Sequence, residues 1–389
     1  MAVPPLIILL ALNWLAGGRA LNLFRKSGKE QYLLLFISLY ALYLAGLLYS
    51  ENMQRALANL ETKLSLLILP LIYYSSARFG REQLLSVVRA FVYGCLAAAL
   101  VCLIYAIYRY FRTKYDLAHG VAVWDYGVHF FFKERLSVWI HPSYRAMYFV
   151  MALGALYLAD PLSRLRSAWR QFVIPAVLVV FVFLFSSKSG LFTLLLLGAH
   201  VAWNMIVKQG RARAAVAGMA ACAVIFLLFY FFAPQFSDRI RGLFSTLSGK
   251  EDVRTSQEST ASRLAAWKAS AGVIRNNWAT GTGTGDDRDA LKSEYARQGL
   301  SFALEEELNA HSQFLQTFIT LGLGGLVALS ASLFLPLWRC RHTANRFYAA
   351  FLALIILNCM IESVFELQAG VVFYAFFNSL LLFSEPEKL

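Results

Sequence analysis

The stretch 172–207, FVIPAVLVVFVFLFSSKSGLFTLLLLGAHVAWNMIV, decides the fold. It is apolar throughout except near its centre, where the residues SSKSG at 186–190 interrupt it. A helix that crosses a bilayer needs roughly 20 mostly apolar residues. The two halves, 172–186 and 189–207, therefore predict two membrane spans joined by a tight polar turn.

Apolar runs of this kind recur along the whole chain. Of its 389 residues, 59% are hydrophobic and 15% are charged, whereas a soluble domain carries about 25% charged residues. The predicted fold class is an all-α polytopic membrane protein with about eleven transmembrane helices. The runs are 3–18, 31–50, 62–76, 84–108, 142–159, 172–186, 189–207, 214–233, 312–338, 347–364 and 367–384.

The net charge of +13 is explained by membrane orientation. Basic residues collect in the short cytoplasmic loops of membrane proteins, so the excess does not indicate nucleic-acid binding. Placing the basic clusters inside puts three segments outside: 109–141, the turn at 188 and the long stretch 234–310. The clusters are Arg25, Lys26 and Lys29; Arg78 and Arg81; Arg164, Arg166 and Arg170; Lys208, Arg211 and Arg213; and Arg339, Arg341 and Arg346.

The long outer loop divides the chain into three predicted parts. These are an N-terminal transmembrane bundle (1–233), a large extracytoplasmic loop with amphipathic helices (234–311) and C-terminal transmembrane helices (312–389). Within the loop, residues 248–260 have the composition of a linker. Helical spacing of apolar residues predicts a helix over 261–278 beginning near Ser262, and a more polar helix over 286–300.

A charged side chain at a membrane boundary costs free energy unless it is paired with an opposite charge or solvated, so its presence can indicate a function. Lys188 lies in the outer turn between two very apolar helices, where it either snorkels to the interface or holds an anionic lipid head group.

Arg263 and Trp267 are four residues apart and share a helix face. The arginine either packs on the indole at the surface or offers a planar fork to phosphate oxygens.

His311 lies where the long loop enters a span. Imidazole is well suited to take up a proton near neutral pH, which makes His311 the candidate general base, although a histidine at a helix entrance is often structural. Glu307, one helical turn earlier, is predicted to orient the ring. Weaker supporting candidates at other outer boundaries are His141, Tyr144, Arg145 and Glu362.

The sequence GTGTG at 281–285 is followed by Asp286, Asp287 and Asp289. A dinucleotide site would need a preceding strand in a βαβ unit, so this segment predicts a tight turn. The aspartates could bind a divalent cation, but carboxylates around an arginine more often form a solvated surface.

None of the five cysteines falls in the long loop, so neither a disulfide framework nor a CxxC metal site is expected.

The order and spacing of these motifs resemble the O-antigen ligase and O-antigen polymerase superfamily of polytopic bacterial membrane glycosyltransferases. The resemblance covers most of the chain and is strongest over 186–325. It rests on SKSG at 187–190, Ser262-Arg263 with Trp267, Asn277-Trp278, the turn at 281–285, NAH at 309–311, LGLGG at 321–325, IESVFELQAG at 361–370 and Glu51-Asn52.

The resemblance implies a fold like that of the C-type glycosyltransferases and an active site on the periplasmic side of the inner membrane. There a glycan would move from undecaprenyl diphosphate to an acceptor, with inversion and with no metal or other cofactor. His311 would be the general base. Arg263 and Lys188 would bind the diphosphate and stabilise charge on the leaving group.

The chain departs from the family pattern in three places. The family commonly has arginine where this chain has Lys188, and lysine lacks the bidentate fork of arginine. It often has His-Asn where this chain has His311-Ser312. Relatives usually have about twelve spans, one more than the eleven counted here.

Three functions remain open from the sequence. The first is ligation of O-antigen to lipid A-core, which the turn, arginine and histidine set favours. The second is polymerisation, in which the acceptor is another glycan repeat unit. The third, from a different class, is a non-enzymatic transporter of lipid-linked sugars, which would place its charges nearer the middle of the bilayer. All three imply membrane lipids and a lipid-linked glycan as partners, and none implies nucleic acid.

Overall fold

The computed structural model describes residues 3–24, 28–76, 79–120, 128–163, 172–343 and 345–384. Within these ranges the chain is helical and contains no strand, in agreement with the predicted fold class. Six basic residues of the predicted cytoplasmic loops lie outside the described residues: Arg25, Lys26, Arg78, Arg164, Arg166 and Arg170.

The helices follow one another with short connections. The first ten are α1 (Val3–Ala16), α2 (Glu30–Ala45), α3 (Met53–Lys63), α4 (Ser65–Ser75), α5 (Arg81–Ala118), α6 (Lys133–Leu136), α7 (Pro142–Leu158), α8 (Ile174–Phe185), α9 (Lys188–Trp203) and α10 (Ala212–Phe232). They are followed by α11 (Pro234–Leu247), α12 (Ser259–Asn277), α13 (Asp287–Gln298), α14 (Ser301–Glu305), α15 (Gln313–Thr343), α16 (Arg346–Ile361) and α17 (Gln368–Phe383). A short 3₁₀ helix, Val364–Glu366, joins α16 to α17.

Each predicted apolar run coincides with a helix, but the helices differ in length. Among the described residues, six helical segments are long and apolar enough to cross a membrane: Glu30–Tyr49, Met53–Ser75, Arg81–Ala118, Lys188–Lys208, Ala212–Phe232 and Gln313–Cys340. Four apolar helices are shorter: Pro4–Ala16, Ile174–Phe185, Arg346–Ile361 and Gln368–Phe383. The chain is thus a multi-pass membrane protein, and the count of eleven spans stays a prediction.

Contacts between residues divide the chain into two compact units. The first unit comprises 1–84 and 245–389, and the second comprises 85–244. The three-part division at 233 and 311 predicted from hydropathy stays a prediction. Each unit is described by itself below.

In the second unit, α7 packs against α8 and α9. The polar turn predicted within 186–190 occurs at 186–187, between the end of α8 and the start of α9. Ser186 adopts a left-handed conformation with φ 50°, and the Ser187 side chain caps α9 by accepting the Gly190 N–H at 3.3 Å. A Cβ at Gly190 would lie 2.4 Å from the Cβ of Ala146, so glycine is what allows α9 to approach α7 this closely.

In the first unit, α12, α13 and α15 enclose an apolar core. The two helices predicted over 261–278 and 286–300 occur as Ser259–Asn277 and Asp287–Gln298. Because their apolar residues recur at helical spacing, they present one face to α15. The fully buried members of this core are Ala265, Ala269, Val273, Leu291, Tyr295, Leu300, Ala303, Ala310 and Ile319.

A break in α15 receives the GTGTG turn. At Gly322 the backbone is non-helical, with φ 63° and ψ −158°. The N–H groups of Thr282 and Gly283 donate to the carbonyls of Ile319 and Thr320 at 2.8 and 3.0 Å. The Leu323 N–H in turn donates to the Trp278 carbonyl at 2.9 Å, so the turn replaces part of the helix's own hydrogen-bond ladder.

Glycine is required where the turn meets the helix. A Cβ at Gly281, which has φ +75°, would lie 2.4 Å from the Thr320 carbonyl oxygen and 2.5 Å from the Gly322 nitrogen. A Cβ at Gly322 would lie 2.3 Å from the Ala279 carbonyl oxygen. Both positions combine a left-handed conformation with close backbone contact, which only glycine accommodates.

Candidate functional site

Arg263 projects from the first part of α12 into the first unit. The helix begins after Glu258, whose side chain caps it by accepting the N–H groups of Thr260 and Ala261. The guanidinium of Arg263 donates to the Ser259 carbonyl at 3.0 Å and to the Ile361 carbonyl at 3.2 Å. Its side chain is only 13% exposed, which excludes the interpretation of a surface arginine.

Glu362 is the carboxylate partner of Arg263. The Arg263 Nη2 donates to Glu362 Oε1 at 2.6 Å, and the glutamate side chain is 12% exposed. A hydrogen-bonded guanidinium and carboxylate form a strong, directional pair when they are shielded from water. Glu362 was a weak candidate on sequence grounds, and the structure places it at the centre of this cluster.

The backbone of Glu362 is fixed by the start of α15. The residue ends α16 in an extended conformation, and its carbonyl accepts the Gln313 N–H at 3.1 Å. The Gln313 Oε1 accepts the Phe365 N–H at 2.6 Å. Two spans are thereby joined at the point where the glutamate leaves the helix, so its side chain has little freedom to turn away.

His311 lies on the other side of the same carboxylate. Its Nδ1 is 3.7 Å from Glu362 Oε2, longer than a hydrogen bond, and this buried nitrogen has no hydrogen-bond partner among the described residues. The side chain as a whole is 23% exposed. One glutamate therefore faces both the guanidinium and the imidazole, and we call Arg263, Glu362 and His311 the Arg–Glu–His cluster.

The backbone of His311 is held in a conformation that residues other than glycine seldom adopt. Its φ is 46°, a left-handed value that costs roughly 1–2 kcal/mol. The His311 N–H donates to Asn309 Oδ1 at 2.9 Å, and Ser363 Oγ donates to the same oxygen at 3.2 Å. The Trp267 indole N–H donates to the His311 carbonyl at 3.4 Å. Side chains from three elements thus fix the histidine.

Glu307 does not face the imidazole. Its carboxylate pairs with Lys292 at 2.6 Å, and both side chains are more than half exposed. The Lys292 ammonium lowers the pKa of Glu307. The chain turns at Glu307, where φ is 46°, which sends the side chain to the surface. Glu362, rather than Glu307, is the carboxylate next to the histidine ring.

The aspartates after the GTGTG turn have separate partners. Asp286 accepts the N–H groups of Glu51 and Asn52, both at 2.8 Å. Asp289 pairs with Arg55 at 2.8 Å, and Asp287 accepts from the Gln316 amide. Across the described ranges, no group of three or more His, Cys, Asp or Glu side chains is arranged to bind a metal ion. These contacts join the turn and the start of α13 to residues 51–55 and to α15 within the first unit.

Lys188 is the first residue of α9 in the second unit. It is partly buried and adjoins a set of buried serine hydroxyls. Ser187 Oγ donates to Ser143 Oγ at 3.2 Å and lies 3.0 Å from Ser189 Oγ. The N–H groups at the start of a helix favour a nearby anion. The binding of the diphosphate by Lys188 and Arg263, which the resemblance implies, stays a prediction.

His141, Tyr144 and Arg145 lie at the start of α7, also in the second unit. The His141 ring caps the helix by accepting the Ser143 N–H at 3.3 Å, and it contacts Tyr144 edge-to-face with 6.4 Å between ring centres. Arg145 is 6% exposed and donates to Ser137 Oγ and the Val138 carbonyl at 3.1 and 2.6 Å. These contacts shape the loop that precedes α7, and a role in a reaction stays a prediction.

Comparison with known proteins gives a match to part of this chain. A family model described as O-antigen ligase matches residues 174–330. The matched segment includes Lys188, Arg263 and His311, and it ends within α15. No curated protein matches the chain at a significant level. Over the segment 174–330 the chain is therefore similar to the O-antigen ligase family, which supports the resemblance to the O-antigen ligase superfamily.

Proposed function

We propose that the protein is a glycosyltransferase that moves a glycan from undecaprenyl diphosphate to the hydroxyl of an acceptor, lipid A-core, on the periplasmic side of the bacterial inner membrane. The family implies an O-antigen ligase or polymerase-like glycosyltransferase activity. The observation that carries the proposal is the Arg–Glu–His cluster, in which one carboxylate faces both a guanidinium and an imidazole.

The proposed reaction begins with proton transfer to His311. Its Nδ1 faces Glu362, which leaves Nε2 as the nitrogen that takes the proton from the acceptor hydroxyl. Glu362 stabilises the imidazolium that forms, because a carboxylate favours the charged form of a neighbouring histidine. The 3.7 Å separation shortens as the complex forms, since catalytic hydrogen bonds are often long before substrate binds.

The acceptor oxygen then displaces the diphosphate directly. A bond forms between this oxygen and the anomeric carbon, while the bond from that carbon to the diphosphate oxygen breaks. The electron pair of the broken bond stays on the leaving diphosphate. A single displacement of this kind inverts the anomeric centre.

Cations stabilise the charge that develops on the leaving group. Contacts with described residues use three of the five N–H groups of Arg263, so two remain for phosphate oxygens. By the resemblance to the family, Lys188 would be a second cation for the diphosphate. Because a lipid diphosphate is already a good leaving group, positioning, one base and fixed positive charge are sufficient, and the proposed reaction needs no metal.

Transfer by purified protein tests this proposal. Full-length protein in lipid nanodiscs receives a lipid-diphosphate glycan together with lipid A-core and a second lipid-linked repeat unit as competing acceptors. We expect the glycan on lipid A-core, with the same yield in the presence of a chelator. Product on the second repeat unit alone would assign polymerisation, and the absence of any transfer would contradict the enzyme proposal.

A further inference from the structure

Asp287 is buried in the first unit, although it begins a helix of the long polar loop. Its side chain is 2% exposed. Oδ2 accepts a hydrogen bond from Gln316 Nε2 at 2.5 Å, while Oδ1 is buried without a hydrogen-bond partner among the described residues. A carboxylate buried this deeply is costly unless its interactions compensate, so its contacts indicate what it does.

Gln316 connects Asp287 to the residue before His311. Its side chain is 1% exposed, and its Oε1 accepts the Ala310 N–H at 3.0 Å. A glutamine amide has one oxygen that accepts and one nitrogen that donates. Because Asp287 can accept from the nitrogen, it fixes which end of the amide faces Ala310.

This connection supports the strained backbone at His311. A left-handed residue persists only where its surroundings hold it. The hydrogen bond from Ala310 to Gln316 fixes the peptide immediately before the histidine, and it lies entirely in the buried core. If the amide turned over, its NH₂ group would face the Ala310 N–H, and two donors would oppose each other.

The buried charges of Lys63 and Glu366 act electrostatically on Asp287. Lys63 pairs with Glu366 at 3.1 Å, with side-chain exposures of 1% and 9%, and the Lys63 ammonium lies 4.9 Å from the centre of the Tyr43 ring. Burial, with a smaller contribution from the negative charge of Glu366, raises the pKa of Asp287 to about 7, while Lys63 and Arg288 oppose the shift. The loss of water around Asp287 and the negative charge of Glu366 both favour the protonated form of Asp287.

We propose that Asp287 is a positioning residue for the reaction, which holds His311 in its working conformation through Gln316 and the Ala310 backbone. This inference rests on the proposed function for its kinetic consequence. A proton on Oδ1 leaves Oδ2 free to accept from Gln316. Asparagine reproduces that protonated form, with its carbonyl oxygen in the accepting position, whereas alanine removes the acceptor.

The kinetic test compares Asp287→Ala and Asp287→Asn in the full chain in nanodiscs. We expect alanine to lower kcat by about 10²-fold, the cost of a small misplacement of a catalytic group, with KM for the lipid-linked donor unchanged. Asparagine is expected to retain most of the wild-type kcat. The exposed Asp289→Asn is the matched control. Equal losses from alanine and asparagine, or no loss from alanine, would overturn the inference.

Gln316→Met removes the amide between Asp287 and Ala310 and leaves Asp287 itself unchanged, so it tests the same connection independently. We expect the same fall in kcat, and no further fall when Asp287→Ala is combined with it, because both changes remove one connection. Losses that add in the double variant would show that Asp287 acts by another path. If Asp287→Ala does not fold, the kcat of Gln316→Met alone still tests the connection: a wild-type kcat would overturn the inference.

Chemical modification separates this inference from the proposed function. Diethyl pyrocarbonate reacts with accessible imidazole, and mass spectrometry reports its reaction at His311 relative to the exposed His119. We expect faster modification of His311 in Asp287→Ala and a wild-type rate in Asp287→Asn, whether or not the protein transfers glycan. An unchanged rate in Asp287→Ala would contradict the positioning role. Absence of transfer in the wild type would contradict only the proposed function.

The pH dependence of stability gives a further check. The folded protein retains the Asp287 proton at pH values where the unfolded chain has lost it, so this contribution to stability is complete below the unfolded pKa. It is lost as the pH rises from 3.8 towards 7. We expect the wild type to lose thermal stability relative to Asp287→Asn across this interval, measured by intrinsic fluorescence. A constant difference between the two would contradict the raised pKa.

Discussion

Replacing His311 by alanine is expected to lower the single-turnover rate of glycan transfer by a factor of about 10² to 10⁴, the range typical of a lost general base. The reason is that His311 is the proposed base, with its Nδ1 3.7 Å from the Glu362 carboxylate that would stabilise the imidazolium. Donor binding should be nearly unchanged, because the diphosphate contacts are assigned to Arg263 and Lys188. Rapid mixing with labelled donor measures both quantities.

The left-handed backbone at His311 calls for a second variant. Asparagine tolerates this conformation better than most residues but cannot act as a base at neutral pH, so His311→Asn should fold like the wild type and transfer as poorly as His311→Ala. His119→Ala is the matched control, since His119 is exposed and its ring contacts Tyr115 one turn earlier. Transfer by His311→Asn at the wild-type rate would remove the base from the mechanism.

Replacing Arg263 alone is expected to damage both stability and transfer. Arg263→Gln leaves Glu362, 12% exposed, without its guanidinium. Removing one partner of a buried ion pair typically costs about 3–5 kcal/mol. We therefore expect a clear fall in the melting temperature in detergent, together with loss of transfer, because the cation assigned to the leaving group is also gone.

A double variant separates these two effects. Adding Glu362→Gln to Arg263→Gln removes the unpaired charge and lets two amides hydrogen-bond at the same place, so much of the lost stability should return. Transfer should stay low, since both the cation and the carboxylate beside His311 are missing. Recovery of transfer along with stability would show that the pair is structural only. Arg297→Gln, which removes an exposed arginine paired with Glu294, is the control.

Local sequence patterns predicted much of the helical structure. The turn at 186–190 is visible because polar residues interrupt a long apolar run, and α12 and α13 are visible because their apolar residues recur at helical spacing. The observed start of α12 at Ser259 lies within three residues of the predicted start near Ser262. Helix α11 was assigned to the loop, since its apolar residues alternate with charged ones and no run is long enough to resemble a span.

Partners that are distant along the chain were harder to predict. Glu307 was chosen as the carboxylate beside His311 because it is one helical turn away, but the chain turns at both residues with positive φ. Glu362 reaches the ring from the end of another helix, and Lys63 meets Glu366 from opposite ends of the sequence. Such pairs depend on how the helices pack, which hydropathy and spacing do not encode.

The break in α15 was hidden for a similar reason. Gly322 lies in an apolar run that has the composition of a continuous span, and glycine is common in membrane helices. The structure shows that the Gly281 turn packs against α15 and interrupts its backbone hydrogen bonds at Gly322. The GTGTG motif itself was correctly expected to be a turn, although its contact with α15 was not foreseen.

Photo-crosslinking tests the central claim, that glycan transfer occurs at the Arg–Glu–His cluster, without depending on turnover. A lipid-diphosphate glycan with a diazirine on its first sugar is irradiated with the full-length protein in nanodiscs, and the labelled peptides are identified by mass spectrometry. We predict labelling within 259–267, 309–313 and 361–363, and its loss when unlabelled donor competes. Competed labelling confined to other segments would contradict the assignment of the site.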